Sequence, residues 1–205
     1  NDDMKHVEDT KTRANNYMGL DTPYGGETQV LHFLEVLRDR IGFDELKKKY
    51  NVMSILEQGQ YQSLGGEFSE MKSWVLSKLL WNPELDTMAL VKEFITDYYG
   101  KAAPYIQKYF DLCQSLIKED TVMGIYINEY HPLYTDEFVT EAKAILDQAK
   151  DAVAQEDEAM RKRVDLVALQ IDWLRMRRTP KAAMEDGTCE RSFDFVRKNN
   201  IRMTE

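Results

Sequence analysis

The chain has 205 residues, with 36 acidic against 27 basic side chains and a formal charge of −9. That length suits one large domain or two small ones around a buried core, but not a complete (β/α)8 barrel of roughly 250 residues with a further domain beside it. The acidic balance disfavours nucleic-acid binding, which needs a basic surface, and no apolar run approaches the roughly 20 residues that span a bilayer. The hydrophobic fraction of 43% with only 5 Pro and 10 Gly is that of a globular chain, not a linker-rich one. The first residue is Asn1 and no signal peptide is visible, so a processed or truncated product is expected. Cys113 and Cys189 are too far apart in sequence to suggest a disulfide framework or a metal site. Cys113 falls in an apolar helical pattern and reads as a small buried hydrophobe. His6, His32 and His131 show no ligand spacing, so neither a metal nor a cofactor is expected.

Residues 1–26 are polar and irregular. Val30, Phe33, Leu34, Leu37 and Ile41 recur at helical spacing before Gly42, and a short helix is expected around 43–50. Val52–Leu56 is the best strand candidate, followed by Glu57-Gln58-Gly59 and a glycine-containing loop to Gly66. From Glu67 onward the pattern is helical. Phe68, Met71, Trp74, Val75 and Leu79 form one stripe, ended by Trp81-Asn82-Pro83. Asp86 is placed to cap a helix carrying Met88, Val91, Phe94, Ile95 and Tyr98, with Gly100 closing it. Pro104 suits the first turn of the next helix, whose apolar positions are Tyr105, Ile106, Tyr109, Leu112, Cys113, Leu116 and Ile117.

Residues 122–127 read as a short strand or an extended connector, and His131-Pro132 as a loop. Thr135 is expected to cap a long helix bearing Phe138, Val139, Ala142, Ile145, Leu146, Ala149 and Val153. Asp157 is expected to cap another, in which Met160, Val164, Val167, Ile171 and Leu174 approximate a heptad seam. Residues 179–189 read as a loop and 190–199 as a last short helix. The spacing therefore predicts a mainly α chain. An antiparallel helical bundle covers 67–178 within a helical C-terminal domain, 67–205, preceded by an irregular or barrel-derived segment, 1–66.

A carboxylate after an apolar strand, then a glycine loop, then a helix, is the local pattern of a barrel active site. By periodicity alone Glu57 reads as a solvated turn residue. Glu57-Gln58-Gly59, Gly65-Gly66-Glu67-Phe68, Ser77-Lys78-Leu79-Leu80-Trp81-Asn82-Pro83 and Tyr98-Tyr99-Gly100-Lys101-Ala102-Ala103-Pro104-Tyr105 together resemble a bacterial glycosidase-like family, domain of unknown function 4838. The resemblance covers about 57–178, reaching Arg163-Val164 less sharply. Proteins of this family look like α-glucuronidase-type and hexosaminidase-type hydrolases, with a (β/α)8 barrel followed by a helical region. They are usually exported by polysaccharide-degrading bacteria.

The resemblance implies a carbohydrate partner, a short β remnant of the barrel on the N-terminal side, and Glu57 at the barrel mouth as catalytic carboxylate or sugar-hydroxyl acceptor. By the resemblance Gln58 and Tyr61 would contact sugar; as loop residues alone they read as ordinary surface. Trp74 and Trp81 could stack on sugars, although their helical stripe favours core packing, and Tyr98-Tyr99 likewise reads as packing. Glycoside hydrolysis takes two carboxylates about 5–5.5 Å apart for retention or about 6.5–9.5 Å for inversion, and only one is identifiable. One strand candidate cannot supply a barrel, so either a fragment or a loss of intervening barrel residues near 15–50 is expected. Two other readings remain: a helical support or assembly region that could form a homo-oligomer through the Met160–Leu174 seam, and a sugar-binding module.

Overall fold

A computed structural model describes residues 68–82, 84–118 and 129–201. Among these residues the chain is helical, with no strand. The expected strand at 52–56, the helices before it, and the extended stretch at 122–127 lie outside the described residues.

Helix α1 (Ser69–Trp81) begins on Phe68, whose backbone is left-handed at φ 53° and whose side chain is 2% exposed. The chain then turns at Asn82, whose amide bonds back to Lys78 O at 2.9 Å. Helix α2 (Thr87–Tyr99) is capped as expected: the Asp86 carboxylate accepts from the Ala89 amide at 2.8 Å. It ends on Gly100 at φ 50°, a conformation that L side chains rarely adopt. A single 3-10 turn (Gly100–Ala102) leads into α3 (Ala103–Ser115), with Pro104 in its first turn, where no amide is needed.

Helices α4 (Asp136–Ala152) and α5 (Glu158–Arg178) are also capped as read from sequence. Thr135 Oγ1 accepts from the Phe138 amide at 3.1 Å, and Asp157 Oδ1 from the Met160 amide at 2.8 Å. Each cap meets a helix-end amide that has no partner inside the helix. Replacing Asp157 with Ala is expected to lower unfolding stability by about 0.5–2 kcal/mol. Chemical denaturation checks this, and Asp157→Asn should recover most of the loss because it keeps the acceptor oxygen.

Successive helices pack on one another, and α5 also touches α2. The core runs from Phe68, Met71, Val75 and Leu79 through Val91, Ile95, Tyr99, Ile106, Tyr109 and Phe110 to Ala142, Ile145 and Leu146, closing on Val164, Ile171 and Leu174. All seven apolar positions expected for the α4 helix, from Phe138 to Val153, are buried. The α5 seam is buried in the same core except at Met160, which packs half-exposed against it. The stripe that motivated a partner interface thus already has partners within the chain.

Three details differ from the periodic reading. On α2 Leu90 and Tyr99 are buried, while Met88 is exposed and Tyr98 half-buried. Phe110 joins the α3 core because it meets Phe68 edge-on at 5.8 Å. Residues 179–189 are not all loop, since α6 (Pro180–Glu185) occupies half of them. A turn at Gly187 (φ 74°) then starts α7 (Thr188–Lys198). Proline at position 180 supplies the preset φ that a helix start favours, a signal overlooked beside the surrounding polar residues.

Candidate functional site

Glu57, Gln58 and Tyr61 lie outside the described residues. What the structure defines is the ground on which that segment ends. Phe68, eleven residues after Glu57, is wedged between Tyr109 and Phe110, with ring centroids 5.8 Å away in both cases.

One turn further along α1 is a group that sequence reasoning passed over. Lys72 is only 8% exposed. Its position is predictable in hindsight: 68, 72, 75 and 79 form an i, i+4, i+7, i+11 stripe facing the core. Burial pushes the Lys72 ammonium well below the ordinary lysine range, and electrostatic interaction with Cys113 partly restores it. Cys113 is half-buried, one turn beyond Tyr109 on α3, so the buried-hydrophobe expectation holds only in part. A lowered folded pKa means that the unfolded chain binds more protons between that value and about 10.4. Stability is therefore expected to rise with pH across that window, and Lys72→Met to flatten the rise. Denaturation midpoints at neutral and alkaline pH check this; equal slopes for both proteins would remove Lys72 as the cause.

Trp74 and Trp81, the tryptophans weighed for sugar stacking, separate. Trp74 packs half-buried with its ring 5.7 Å from Phe94, and Lys78 lies over it at 5.0 Å. Trp81 is 93% exposed, contrary to the expectation of core packing. Its position two turns beyond Trp74 places it on the same stripe, but the core under that stripe ends at Leu79, where the chain turns away. Exposed Leu80 lies beside it in sequence. A free indole face offers a flat, electron-rich surface to the C–H groups of a ligand.

Tyr99 is buried, which holds its hydroxyl in the neutral form. Tyr98 stacks on Phe94 at 4.7 Å, while Arg163 covers its ring at 4.3 Å and donates to its carbonyl at 2.9 Å. Arg163 thereby ties α5 to the end of α2. Burial and the Glu70 carboxylate raise the Tyr98 pKa, and Arg163 opposes them.

Carboxylates elsewhere serve as helix ties. Asp165 and Asp172 on α5 both reach Lys150 Nζ, at 3.6 and 3.5 Å, and burial raises the Asp165 pKa. A carboxylate pair with one raised member has the acid–base pattern of a hydrolase. Here, however, both carboxylates are engaged by the same lysine. Glu129 is held by Arg177 at 2.7 Å, and its carbonyl accepts from Arg178 at 2.9 Å. Among the described residues no cluster of three or more His, Cys, Asp and Glu is arranged to hold a metal, and no helix is long and apolar enough to cross a membrane.

A family model described as a domain of unknown function, DUF4838, matches residues 39–111. The match takes in Glu57, Gln58 and Tyr61, all of α1 and α2, and most of α3. No curated protein and no solved structure matches the chain.

Proposed function

We propose that the chain is the C-terminal part of a glycoside-hydrolase-like protein acting on a polysaccharide or glycan. Glu57 is the catalytic carboxylate, and Gln58 and Tyr61 contact sugar. In this reading residues 1–66 carry a short β remnant of a (β/α)8 barrel, and the helices from 67 onward form an antiparallel bundle that supports it. The protein is exported, as the resemblance implies. The observation that carries the reading is the continuity of the family match. It runs from residue 39 through Glu57 into α3, so one family match spans both the candidate catalytic segment and the first helices among the described residues. Phe68, eleven residues after Glu57, is buried against Tyr109 and Phe110, so the chain leaving the candidate segment enters the core there. The direct test is to incubate the longer parent protein with a panel of plant and host glycans and look for released sugar. Product from one glycan class supports the proposal; no product from any of them, with the protein folded, counts against it.

A second reading, a sugar-binding module without turnover, is favoured by the exposure of Trp81. It predicts that Trp81→Ala weakens glycan affinity by about 1–1.5 kcal/mol or more, near tenfold, on the scale of an aromatic contact plus its buried area. Calorimetric titration would measure this, with unfolding stability unchanged because the side chain is solvated. A homo-oligomeric assembly has lost the seam that suggested it; sedimentation of the chain would reveal any association through another face.

A further inference from the structure

Helix α5 has two unlike faces. Val164, Val167, Ala168, Ile171 and Leu174 sink into the main core. The other side carries α6 and α7. The buried residues of α7 are Thr188, Ser192 and Val196, an i, i+4, i+8 stripe in which two of the three are hydroxyl-bearing. Their partners are charged. Thr188 Oγ1 accepts from Arg175 at 3.0 Å and donates to Asp186, and Ser192 Oγ donates to Asp172 at 3.4 Å. Arg175 also pairs with Asp186 at 2.6 Å, and Lys198 with Glu158 at the far end of the helix. The apolar share is small: Leu169, Val196 and Ile201 form a cluster separate from the main core, lined by half-buried Leu166 and Phe195.

Segments with few buried apolar contacts open at lower free energy than the core they rest on. Ion pairs with exposed partners are screened by salt: Lys198 and Glu158 are both 70% exposed, and Asp186 is 39% exposed although its partner Arg175 is only 15% exposed. We infer that α6 and α7 together form a strap, fastened by the Arg175–Asp186–Thr188 network, that opens as a unit while α1–α5 stay folded. Opening bares Leu166 and Leu169 and releases Arg175 and Asp172 from their strap-side partners. The inference goes beyond the hydrolase reading and does not depend on it.

Native-state hydrogen exchange of the full chain, followed by mass spectrometry at low denaturant, tests it. Peptides from 188–198 are expected to exchange roughly tenfold or more faster than peptides from α4, with a shallower denaturant dependence. Asp186→Asn, which keeps the size but removes the ion pair, should speed strap exchange further and leave α4 unchanged, as should added salt. Lys198→Ala is a second variant that spares the Thr188 network and should act in the same direction. Reaction of Cys189 on α7 with a thiol reagent, compared with Cys113 on α3, gives an independent readout: only Cys189 should respond to Asp186→Asn. One shared exchange rate and denaturant slope for α4 and α7, or a strap unmoved by both variants and by salt, overturns the inference.

Discussion

On the proposed hydrolase reading, replacing Glu57 by Gln is expected to lower glycan turnover by about 10²–10⁴-fold or more. The amide keeps the shape of the side chain and can still hydrogen-bond a sugar hydroxyl. It can neither deliver a proton to a leaving oxygen nor take one from water, and it is no nucleophile. If Glu57 is a catalytic carboxylate, the loss therefore falls on kcat. If it only accepts a bond from a sugar hydroxyl, the loss falls on KM and is modest, since an amide oxygen accepts as well. Gln58 and Tyr61 should behave in the second way, with Gln58→Ala and Tyr61→Phe raising KM and leaving kcat nearly unchanged. Steady-state kinetics on a defined glycan separate these outcomes, with thermal unfolding as a control for the fold. Wild-type turnover by Glu57→Gln would remove Glu57 from the catalytic role and leave sugar binding as the stronger reading.

The parts of the fold that are local were legible in the sequence. Asp86, Thr135 and Asp157 cap the helices they were expected to cap, because a cap is decided within three residues of chain. Helix α4 was legible across its whole length because it has one wet face and one dry one. What escaped depends on the neighbour. Phe110 is core because Phe68 comes to meet it, and Tyr99 displaces Tyr98 because Arg163 claims the outer ring. Trp81 fitted a stripe by spacing, yet spacing cannot say where the core beneath a helix ends. Lys72 sat in register with Phe68 and Val75, but its chemical type argued against the burial that its register demands. The candidate site was legible only through resemblance, since one carboxylate after one short apolar run has no periodic signature of its own. The carboxylate pair that does stand out among the described residues, Asp165 and Asp172, converges on a lysine.

Phe68 is where the candidate catalytic segment and the helices meet, and its substitution should report on both. The ring is buried against Tyr109 and Phe110. Phe68→Ala removes it and is expected to destabilise the chain by about 3–5 kcal/mol, the range for emptying an aromatic site in a core. The backbone adds a second contribution of opposite sense. At φ 53° a residue with a Cβ sits in the left-handed region at a cost of about 1–2 kcal/mol, from which glycine is exempt. Phe68→Gly should therefore be less damaging than Phe68→Ala, although glycine loses more freedom on folding and normally ranks as the worse choice. Urea denaturation of the two variants decides the matter through the order of their midpoints. Glycine above alanine means that the ring holds the backbone in a conformation it would not otherwise keep. Alanine above glycine means that the turn is relaxed and Phe68 acts through packing alone. In the longer protein the same pair extends to catalysis. If the bundle is the footing for Glu57, both variants should lower kcat at temperatures where the helices remain folded, because a reacting group displaced by even about 1 Å can cost 10²-fold in rate. Unaltered kcat in a folded Phe68→Gly protein would show that the carboxylate is positioned from elsewhere.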